Sequence, residues 1–270
     1  MPITILQGHE GELIIDNDVT DMLKVTKYEP EEISFYKGAK LRIGIGAFPY
    51  FIPKTDETRV QVLQERLDKV KDMEFVITEK LDGTSFTAFI KNGEFGICSR
   101  NMLVSPTIPS PYSDAALAFD LENKFKDLKR FHIPYNFALQ GELIGAGIQG
   151  NKYGLKDYSI RWFNFFNIDI QKDIGFYLSD ADEFKEFQGH TLGTVTAMLD
   201  METVPILNSS FKMTNDIDTL INMAIGKSMI ADTEREGLVF RSKYNNQFNN
   251  YNRRLSFKAI NPDFLCPLLP

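Results

Sequence analysis

The stretch Glu79-Lys80-Leu81-Asp82-Gly83-Thr84 decides the fold prediction, because it stands where one predicted strand ends and the next begins. β-forming residues follow Glu74 on one side and fill residues 84–91 on the other. Asn92-Gly93 then separates that second run from a third, 94–99, which predicts a tight hairpin with positive φ at its turn. The strands around the stretch are therefore predicted to be antiparallel.

The rest of the chain shows helices and strands without a regular alternation between them. Helical spacing over 57–71 predicts one helix, carried by Val60, Leu63, Leu67 and Val70. Ser113 and Thr214 are the expected N-caps of two more, ending near Lys129 and Gly226. Further strands are expected over 136–144, 159–170, 236–242 and 255–260. This pattern favours an α+β fold with antiparallel sheets over a doubly wound parallel sheet.

Composition limits the class of protein. The 270 residues, 43% of them hydrophobic, suffice for one large domain, or one domain plus an appendage. No apolar run reaches 18 residues and no signal peptide opens the chain, so a soluble, cytoplasmic protein without membrane partners is expected. Cys98 and Cys266 are predicted to be reduced and structural, since no zinc-ligand spacing is present. A net charge of −7 argues against indiscriminate coating of nucleic acid, although it allows a local basic groove.

Lysine followed by x-Asp-Gly is a weak signal by itself, since about one chain in fifteen of this length would contain it by chance. Here an ordered series of short motifs follows, each on or beside a predicted strand. The series comprises Ser99-Arg100-Asn101, Gly141-Glu142-Leu143, Phe165-Phe166-Asn167-Ile168, Glu236-Gly237-Leu238-Val239 and Ser256-Phe257-Lys258. In type and order these motifs resemble those shared by ATP-dependent ligases and mRNA capping enzymes, over roughly residues 48–265.

Two further stretches narrow the resemblance to nick-sealing RNA ligases. These are 48–57, Phe-Pro-Tyr-Phe-Ile-Pro-Lys-Thr-Asp-Glu, and 141–153, Gly-Glu-Leu-Ile-Gly-Ala-Gly-Ile-Gln-Gly-Asn-Lys-Tyr. DNA ligases and capping enzymes lack both. The resemblance implies an α+β nucleotidyltransferase domain of two antiparallel β-sheets with flanking helices, with ATP in the cleft between the sheets.

The resemblance also implies a reaction. Lys80 would take AMP from ATP, the AMP would pass to an RNA 5′-phosphate, and a 3′-hydroxyl would displace it. Attack by Lys80 requires a neutral amine, whereas a free lysine is protonated at pH 7. A bound Mg²⁺ or Mn²⁺, partial burial and a second cation, for which Lys258 is the candidate, would favour the neutral form.

The remaining site residues follow from the same resemblance. Asp82, Glu142 and Glu236 would hold the metal through its waters, because hard divalent cations prefer oxygen ligands. The residues expected to bind the nucleotide are Glu79 at the adenine amino group, Lys80, Arg100 at ribose or phosphate, Glu142, Phe166 stacked on adenine, Glu236 and Lys258. A core role for Phe166 competes with stacking, since Trp162, Phe166, Ile168 and Ile170 alternate along a predicted strand face.

Two local features depart from simple motif matching. Residues 145–150 fit G-x-G-x-x-G, but no helix follows them, so a dinucleotide site is rejected. Ser256 stands where the family often has a lysine that contacts phosphate, and Arg253 or Arg254 is the expected substitute.

The expected domains are an N-terminal segment, 1–47, and a nucleotidyltransferase domain, 48–270. The segment resembles a remnant of, or a connector from, an N-terminal OB domain, so the chain is expected to begin within or just after such a domain. The expected partner is RNA with 3′-hydroxyl and 5′-phosphate ends, including nicked duplexes, and the expected state is a monomer. The alternatives are a DNA ligase, a capping guanylyltransferase or a silent nucleic-acid-binding module. The silent module would have lost Lys80, Glu142 or Glu236, and all three are present.

Overall fold

The structure is a computed structural model. It describes residues 33–36, 39–128, 133, 136–178, 181–244 and 254–265. In these ranges the strands β1–β15 span Ile33–Tyr36, Ala39–Arg42, Gly44–Ala47, Thr58–Arg59, Glu74–Lys80, Thr84–Lys91, Glu94–Cys98, Met102–Val104, Phe137–Ile144, Ser159–Asn167, Lys172–Ile174, Glu202–Thr203, Ile206–Lys212, Gly237–Ser242 and Ser256–Ile260. The helices α1–α7 span Gln64–Val70, Pro111–Ala118, Leu121–Asp127, Ala181–Glu186, Leu192–Met198, Ile217–Ala224 and Pro262–Leu265.

Two mainly antiparallel sheets form the body of the fold. The larger has the strand order β11-β10-β9-β6-β7-β8-β3, with β12 added in parallel beside β10. The smaller has the order β13-β5-β14-β15-β4, in which only the β15–β4 pair is parallel. Strands β1 and β2 form a separate hairpin. The predicted α+β class with two antiparallel sheets and flanking helices is confirmed.

The chain passes from the smaller sheet to the larger one at Leu81-Asp82-Gly83. Strand β5 belongs to the smaller sheet and ends at Lys80, and β6 begins in the larger sheet at Thr84. Gly83 lies so close to β9 that a Cβ built on it would stand 2.8 Å from Glu142 Cγ and 2.5 Å from the Leu143 carbonyl oxygen. Only glycine fits this crossing without displacing β9, so the sequence that decides the fold also fixes the distance between Lys80 and Glu142.

Each sheet covers its own apolar core. The larger core lies between its sheet and helices α2, α3 and α5, with Trp162, Phe137 and Phe165 buried in it. The smaller core packs α1 and α6 on the other sheet around Phe240 and Phe257, whose rings stack 5.2 Å apart. Because the helices cover the sheets elsewhere, the space between the sheets is left for the site.

Several local predictions are confirmed. The hairpin at Asn92-Gly93 has positive φ at both residues, and the strands expected near 136–144, 236–242 and 255–260 form with their ends shifted by a residue or less. The run 145–150 leads into a single 3-10 turn and not into the helix that a dinucleotide site needs, which agrees with the rejection of such a site. Cys98 is buried, as its predicted structural role requires.

Three helix predictions need correction. The helix expected over 57–71 starts only at Gln64, after a two-residue strand and a 3-10 turn. The cap predicted at Ser113 lies at Ser110, with Pro111 in the first turn, and the expected single helix breaks at Asp120, which has φ 50°. The cap predicted at Thr214 lies at Asp216, whose carboxylate accepts from the N–H groups of residues 218 and 219. In both helices the cap is a different short polar residue, whose side chain accepts from N–H groups of the first turn.

Some predictions lie outside the described residues, among them those for Cys266, Arg253 and most of the N-terminal segment. Strand β3, at the end of that segment, pairs with β8 at the edge of the larger sheet. The domain division at residue 47 stays a prediction. Among the helices described, none is long and apolar enough to cross a membrane.

Candidate active site

A cavity of about 380 Å³ opens between the two sheets at the point where the chain crosses. The smaller sheet contributes Lys80 and Lys258, and the larger sheet contributes Glu142. The volume lies in the range of sites for small molecules and nucleotide-sized ligands. Seven of the eight residues predicted from the sequence line it, namely Glu79, Lys80, Asp82, Arg100, Glu142, Glu236 and Lys258.

Lys80 ends β5 with its side chain directed into this cavity. Its Nζ donates a 2.6 Å hydrogen bond to Oε2 of Glu236, the residue that precedes β14, and both side chains are largely buried. Strands β5 and β14 are paired with Lys80 opposite Gly237, so the contact is fixed by backbone register. Glu236 therefore holds the amine in place and offers an acceptor for its proton.

Glu142 lies across the cleft in β9. Burial raises the pKa of its carboxyl to about 8, and the charges of Glu236 and Asp82 act in the same direction. Lys80 and the N–H of Gly83 oppose the shift. The carboxyl is thus largely protonated near neutral pH unless a further cation enters the cleft.

Asp82 is held by the second RNA-ligase-like stretch of sequence. Its backbone N–H donates to the hydroxyl of Tyr153 at 2.8 Å, and its carboxylate forms a 3.0 Å ion pair with Lys152. Tyr153 is buried, and desolvation raises the pKa of its phenol further above the ordinary value. Residues 152 and 153 thus position the turn that follows Lys80, which gives this stretch a role that sequence analysis had not assigned.

Glu79 forms part of the cavity wall although it is 1% exposed. Its Oε2 accepts a 2.8 Å hydrogen bond from the backbone N–H of Met229. Its Oε1 is buried and has no partner among the described residues. A buried acceptor without a donor costs about 1–3 kcal/mol, so this oxygen favours a ligand that brings an N–H group, as the adenine amino group does.

The aromatic ring at the cavity belongs to Phe163, and the structure does not place Phe166 there. Phe166 is 1% exposed and packs with Ile168 in a small core beneath β6 and β7. A β-bulge between Trp162 and Asn164 shifts the alternation of β10 by one residue. Trp162 and Phe166 consequently lie in different cores, against the predicted shared face, and half-buried Phe163 lines the cleft.

Ser256 stands where the family often has a lysine, and the neighbouring strand places an arginine opposite it. Arg241 of β14 is the register partner of Ser256 and lines the cavity. Glu57 Oε1 accepts a 2.7 Å hydrogen bond from the Ser256 hydroxyl and forms a 3.3 Å ion pair with the Arg241 guanidinium. Arg254, the expected substitute, is buried elsewhere and bonded to Glu183 and two carbonyls, so it does not reach this cavity. Val239 and Arg241 alternate on one face of β14, a signal that sequence reasoning could have used.

Two further cations border the cleft. Burial lowers the pKa of Lys258, and the charge of Lys80 lowers it further. Arg100 lies at the rim, where its guanidinium forms a 2.7 Å ion pair with Asp56.

The carboxylates of the cleft are suited to a metal ion that keeps its waters. In the part of the chain that the structure describes, no three acidic, histidine or cysteine side chains converge closely enough to ligate one ion directly. Asp82 and Glu236 nevertheless raise the pKa of Glu142 by repulsion. A hydrated divalent cation among these carboxylates would relieve that repulsion and needs no direct three-carboxylate cage. The residues therefore fit a metal held through its waters.

A lysine at the crossing between two antiparallel sheets, in a cleft lined by carboxylates and cations, defines a nucleotidyltransferase. The family model described as RNA ligase matches residues 73–260. The chain belongs to the RNA ligase family. No curated protein sequence matches it at a significant level.

Solved structures of Naegleria gruberi RNA ligase are similar over nearly the whole chain. A lysine-to-alanine variant with ATP and Mn is 30% identical, with a TM-score of 0.68 over 94% of this chain and 69% of that one. A lysine-to-methionine variant with AMP and Mn is 29% identical, with a TM-score of 0.68 over 98% and 71%. The ligase with pyrophosphate is 29% identical, with a TM-score of 0.69 over 98% and 71%.

Proposed function

We propose that this protein is an ATP-dependent RNA ligase in which Lys80 carries AMP between ATP and the RNA. The observation that carries the proposal is the position of Lys80 in the cleft, 2.6 Å from Glu236 and beside Lys258. The family relationship supports it, and so do the nucleotides and Mn in the similar Naegleria structures.

ATP fits the cleft with its base at the Glu79 end. The free Oε1 of Glu79 accepts the adenine amino group, and the Phe163 ring offers a stacking surface. The phosphates then lie toward the cationic side, where Lys258 and Arg241 line the cavity. Guanine carries a carbonyl where adenine has its amino group, so Glu79 disfavours GTP.

The first step forms a bond between Lys80 Nζ and the α-phosphorus of ATP. The bond from this phosphorus to the bridging oxygen breaks, and pyrophosphate leaves in line. The ammonium of Lys80 loses one proton to become the attacking amine and a second one as the P–N bond forms. Glu236 Oε2, 2.6 Å from Nζ, is placed to accept each proton in turn and to pass it to solvent. Lys258 and Arg241 stabilise the negative charge that develops on the phosphates.

The later steps use the same cations. An oxygen of the RNA 5′-phosphate attacks the AMP phosphorus, the P–N bond breaks, and Lys80 leaves as an amine that regains its proton. A 3′-hydroxyl, which gives up its proton to solvent, then attacks the RNA phosphorus, and AMP departs as the new phosphodiester forms. A divalent metal, Mg²⁺ or Mn²⁺, would supply charge neutralisation at the phosphates when held by Asp82, Glu142 and Glu236 through its waters.

The finer assignments belong to the same proposal. The substrate ends are a 3′-hydroxyl and a 5′-phosphate, as in an RNA nick, and the protein acts as a cytoplasmic monomer.

Arg59 is a further candidate for binding the phosphates of ATP. The Naegleria ligase was studied as variants of a lysine, of an aspartate two positions later and of an arginine 21 positions earlier. Lys80, Asp82 and Arg59 have the same spacing here.

The proposal is tested by following one label through all steps. With α-labelled ATP, the label should appear on the protein, move to the 5′ end of a nicked RNA, and leave as AMP when the nick closes. Lys80→Arg, which keeps the charge, should abolish labelling, whereas Lys227→Ala at an exposed position should not. GTP in place of ATP separates capping from ligation, and a DNA nick separates the two kinds of ligase. Labelling that survives in Lys80→Arg would overturn the proposal.

A further inference from the structure

A turn beside the cavity carries two aromatic residues at its tip. The Ile52 N–H donates to the Pro49 carbonyl at 3.1 Å, which closes a β-turn with Tyr50 and Phe51 at the central positions. Such positions usually hold Gly, Pro, Asn, Asp or Ser. Here the turn carries two large aromatic side chains, and that of Tyr50 is 94% exposed. Residues 49–52 are called the aromatic turn.

The aromatic turn is held rigidly at its base. Gln171 Nε2 donates to the Phe51 carbonyl at 3.1 Å, and Gln140 Nε2 donates to the Pro53 carbonyl at 2.8 Å. The Phe51 ring packs edge-on against Phe89 at 5.6 Å and meets the Tyr50 ring, also edge-on, at 5.6 Å. Tyr50 thus projects from a fixed support, and ordering it on binding costs little conformational entropy.

Positive charge accompanies the rings. Lys91 Nζ lies 3.7 Å from the centroid of Phe51 and 5.7 Å from that of Tyr50. Lys54 Nζ lies 5.9 Å from the centroid of Phe48 and donates to the Asn101 side chain at 3.0 Å. Cations held over aromatic rings, next to an exposed ring face, form the surface that single-stranded nucleic acid uses for stacking and phosphate contact.

The surface is continuous with the cavity. Phe48 and Lys54 line the cavity and flank the aromatic turn in sequence. The Cα of Tyr50 is at most about 7.6 Å from that of Phe48, since two virtual bonds separate them. An RNA end that enters the cavity over Phe48 and Lys54 is therefore within reach of Tyr50.

We infer that the aromatic turn is an RNA-binding subsite, in which Tyr50 stacks on the terminal base of the 3′-hydroxyl strand and Lys91 contacts its backbone phosphate. The inference rests on the proposed function and assigns one of its substrate contacts. The acidic net charge of the chain gives no general affinity for RNA, so a local aromatic and cationic surface has to supply it. The first step, which involves ATP alone, does not use this subsite.

The test uses a nicked RNA, already adenylylated at its 5′-phosphate, with 2-aminopurine as the terminal base of the 3′-hydroxyl strand. Binding to the unmodified protein should quench the fluorescence by stacking. Tyr50→Ala should remove the quenching and weaken binding about 5- to 100-fold, the range that corresponds to one lost base–aromatic contact. Tyr50→Phe should restore both, and Leu117→Ala, at a position 82% exposed on α2, serves as the control.

Two further readouts keep the outcomes distinct. Labelling of the protein by ATP should be equal in all four proteins, and Lys91→Ala should lower the slope of log Kd against log salt by about one. Normal labelling together with unchanged RNA affinity in Tyr50→Ala overturns the subsite. Absence of labelling in the unmodified protein overturns the proposed function instead. A change of oligomeric mass in Tyr50→Ala assigns the surface to a second copy of the chain and also overturns the inference.

Discussion

Replacing Gly83 by alanine should disable the site without removing any reactive group. The new methyl carbon would stand 2.5 Å from the Leu143 carbonyl oxygen, 2.7 Å from Ile144 Cγ2 and 2.8 Å from Glu142 Cγ. None of these atoms is the free end of a flexible side chain, so β9 must move away from the crossing. Overpacking of this kind costs about 1–3 kcal/mol of folding free energy.

The functional effect should exceed the loss of stability. A displacement of about 1 Å between Glu142 and Lys80 is enough to slow a positioned reaction about 100-fold. The assays are urea unfolding and the single-turnover rate of labelling by ATP. Gly46→Ala is the matched control, because an added Cβ at this strand position meets nothing within 4 Å and neither glycine has positive φ. Equal stability and equal labelling of the two variants would refute the argument from close approach.

Three other predictions test separate features of the site and its surroundings. The folded state favours the protonated form of the Glu142 carboxyl. Its contribution to the free energy of unfolding should therefore be fully present below the ordinary pKa of 4.5 and should be lost as pH rises to about 8. Thermal unfolding of the metal-free protein should show this decline, and Glu142→Gln should reduce it; an identical decline in both contradicts the pKa shift. Phe163→Ala should weaken ATP binding by about 1–3 kcal/mol with little loss of stability, whereas Phe166→Ala should cost about 3–5 kcal/mol of stability. Calorimetry measures the loss of ATP binding and urea unfolding measures the loss of stability. The reverse pattern would restore Phe166 to the site. Glu183→Ala leaves the Arg254 guanidinium buried without its paired carboxylate and should cost about 3–5 kcal/mol of stability. The rate at which ATP labels the folded fraction should stay near normal. A specific loss of labelling would show that Arg254 takes part in the chemistry.

The sequence was sufficient for the parts of the site that depend on short spacing and register. Lys80, Asp82 and Gly83 lie within four consecutive residues, so they stay together in any fold that preserves the crossing. Glu236 reaches Lys80 because β14 pairs with β5, and both strands were predicted from the sequence. The family resemblance added the division into two antiparallel sheets with a cleft between them, which periodicity alone does not give.

The missing parts depended on geometry that local patterns do not show. The bulge in β10 moves Phe163 into the cleft, whereas the family resemblance pointed to Phe166, whose ring lies in a core. Arg241 replaces a lysine expected on the neighbouring strand, which only the β14–β15 register reveals. The break at Asp120 requires a left-handed backbone that helical periodicity does not detect. Ser110-Pro111 is the exception, since serine before proline is a helix-start signal that was available in the sequence.

The most direct test of the central claim is peptide mapping by mass spectrometry after incubation with ATP and Mg²⁺. The account predicts one adduct of AMP, on the peptide that contains Glu79-Lys80-Leu81-Asp82-Gly83, with the modified residue at Lys80. The adduct should survive denaturation, since it is covalent, and should disappear when nicked RNA is added before quenching. AMP on a different lysine, or a protein that binds ATP and never acquires the adduct, would contradict the account.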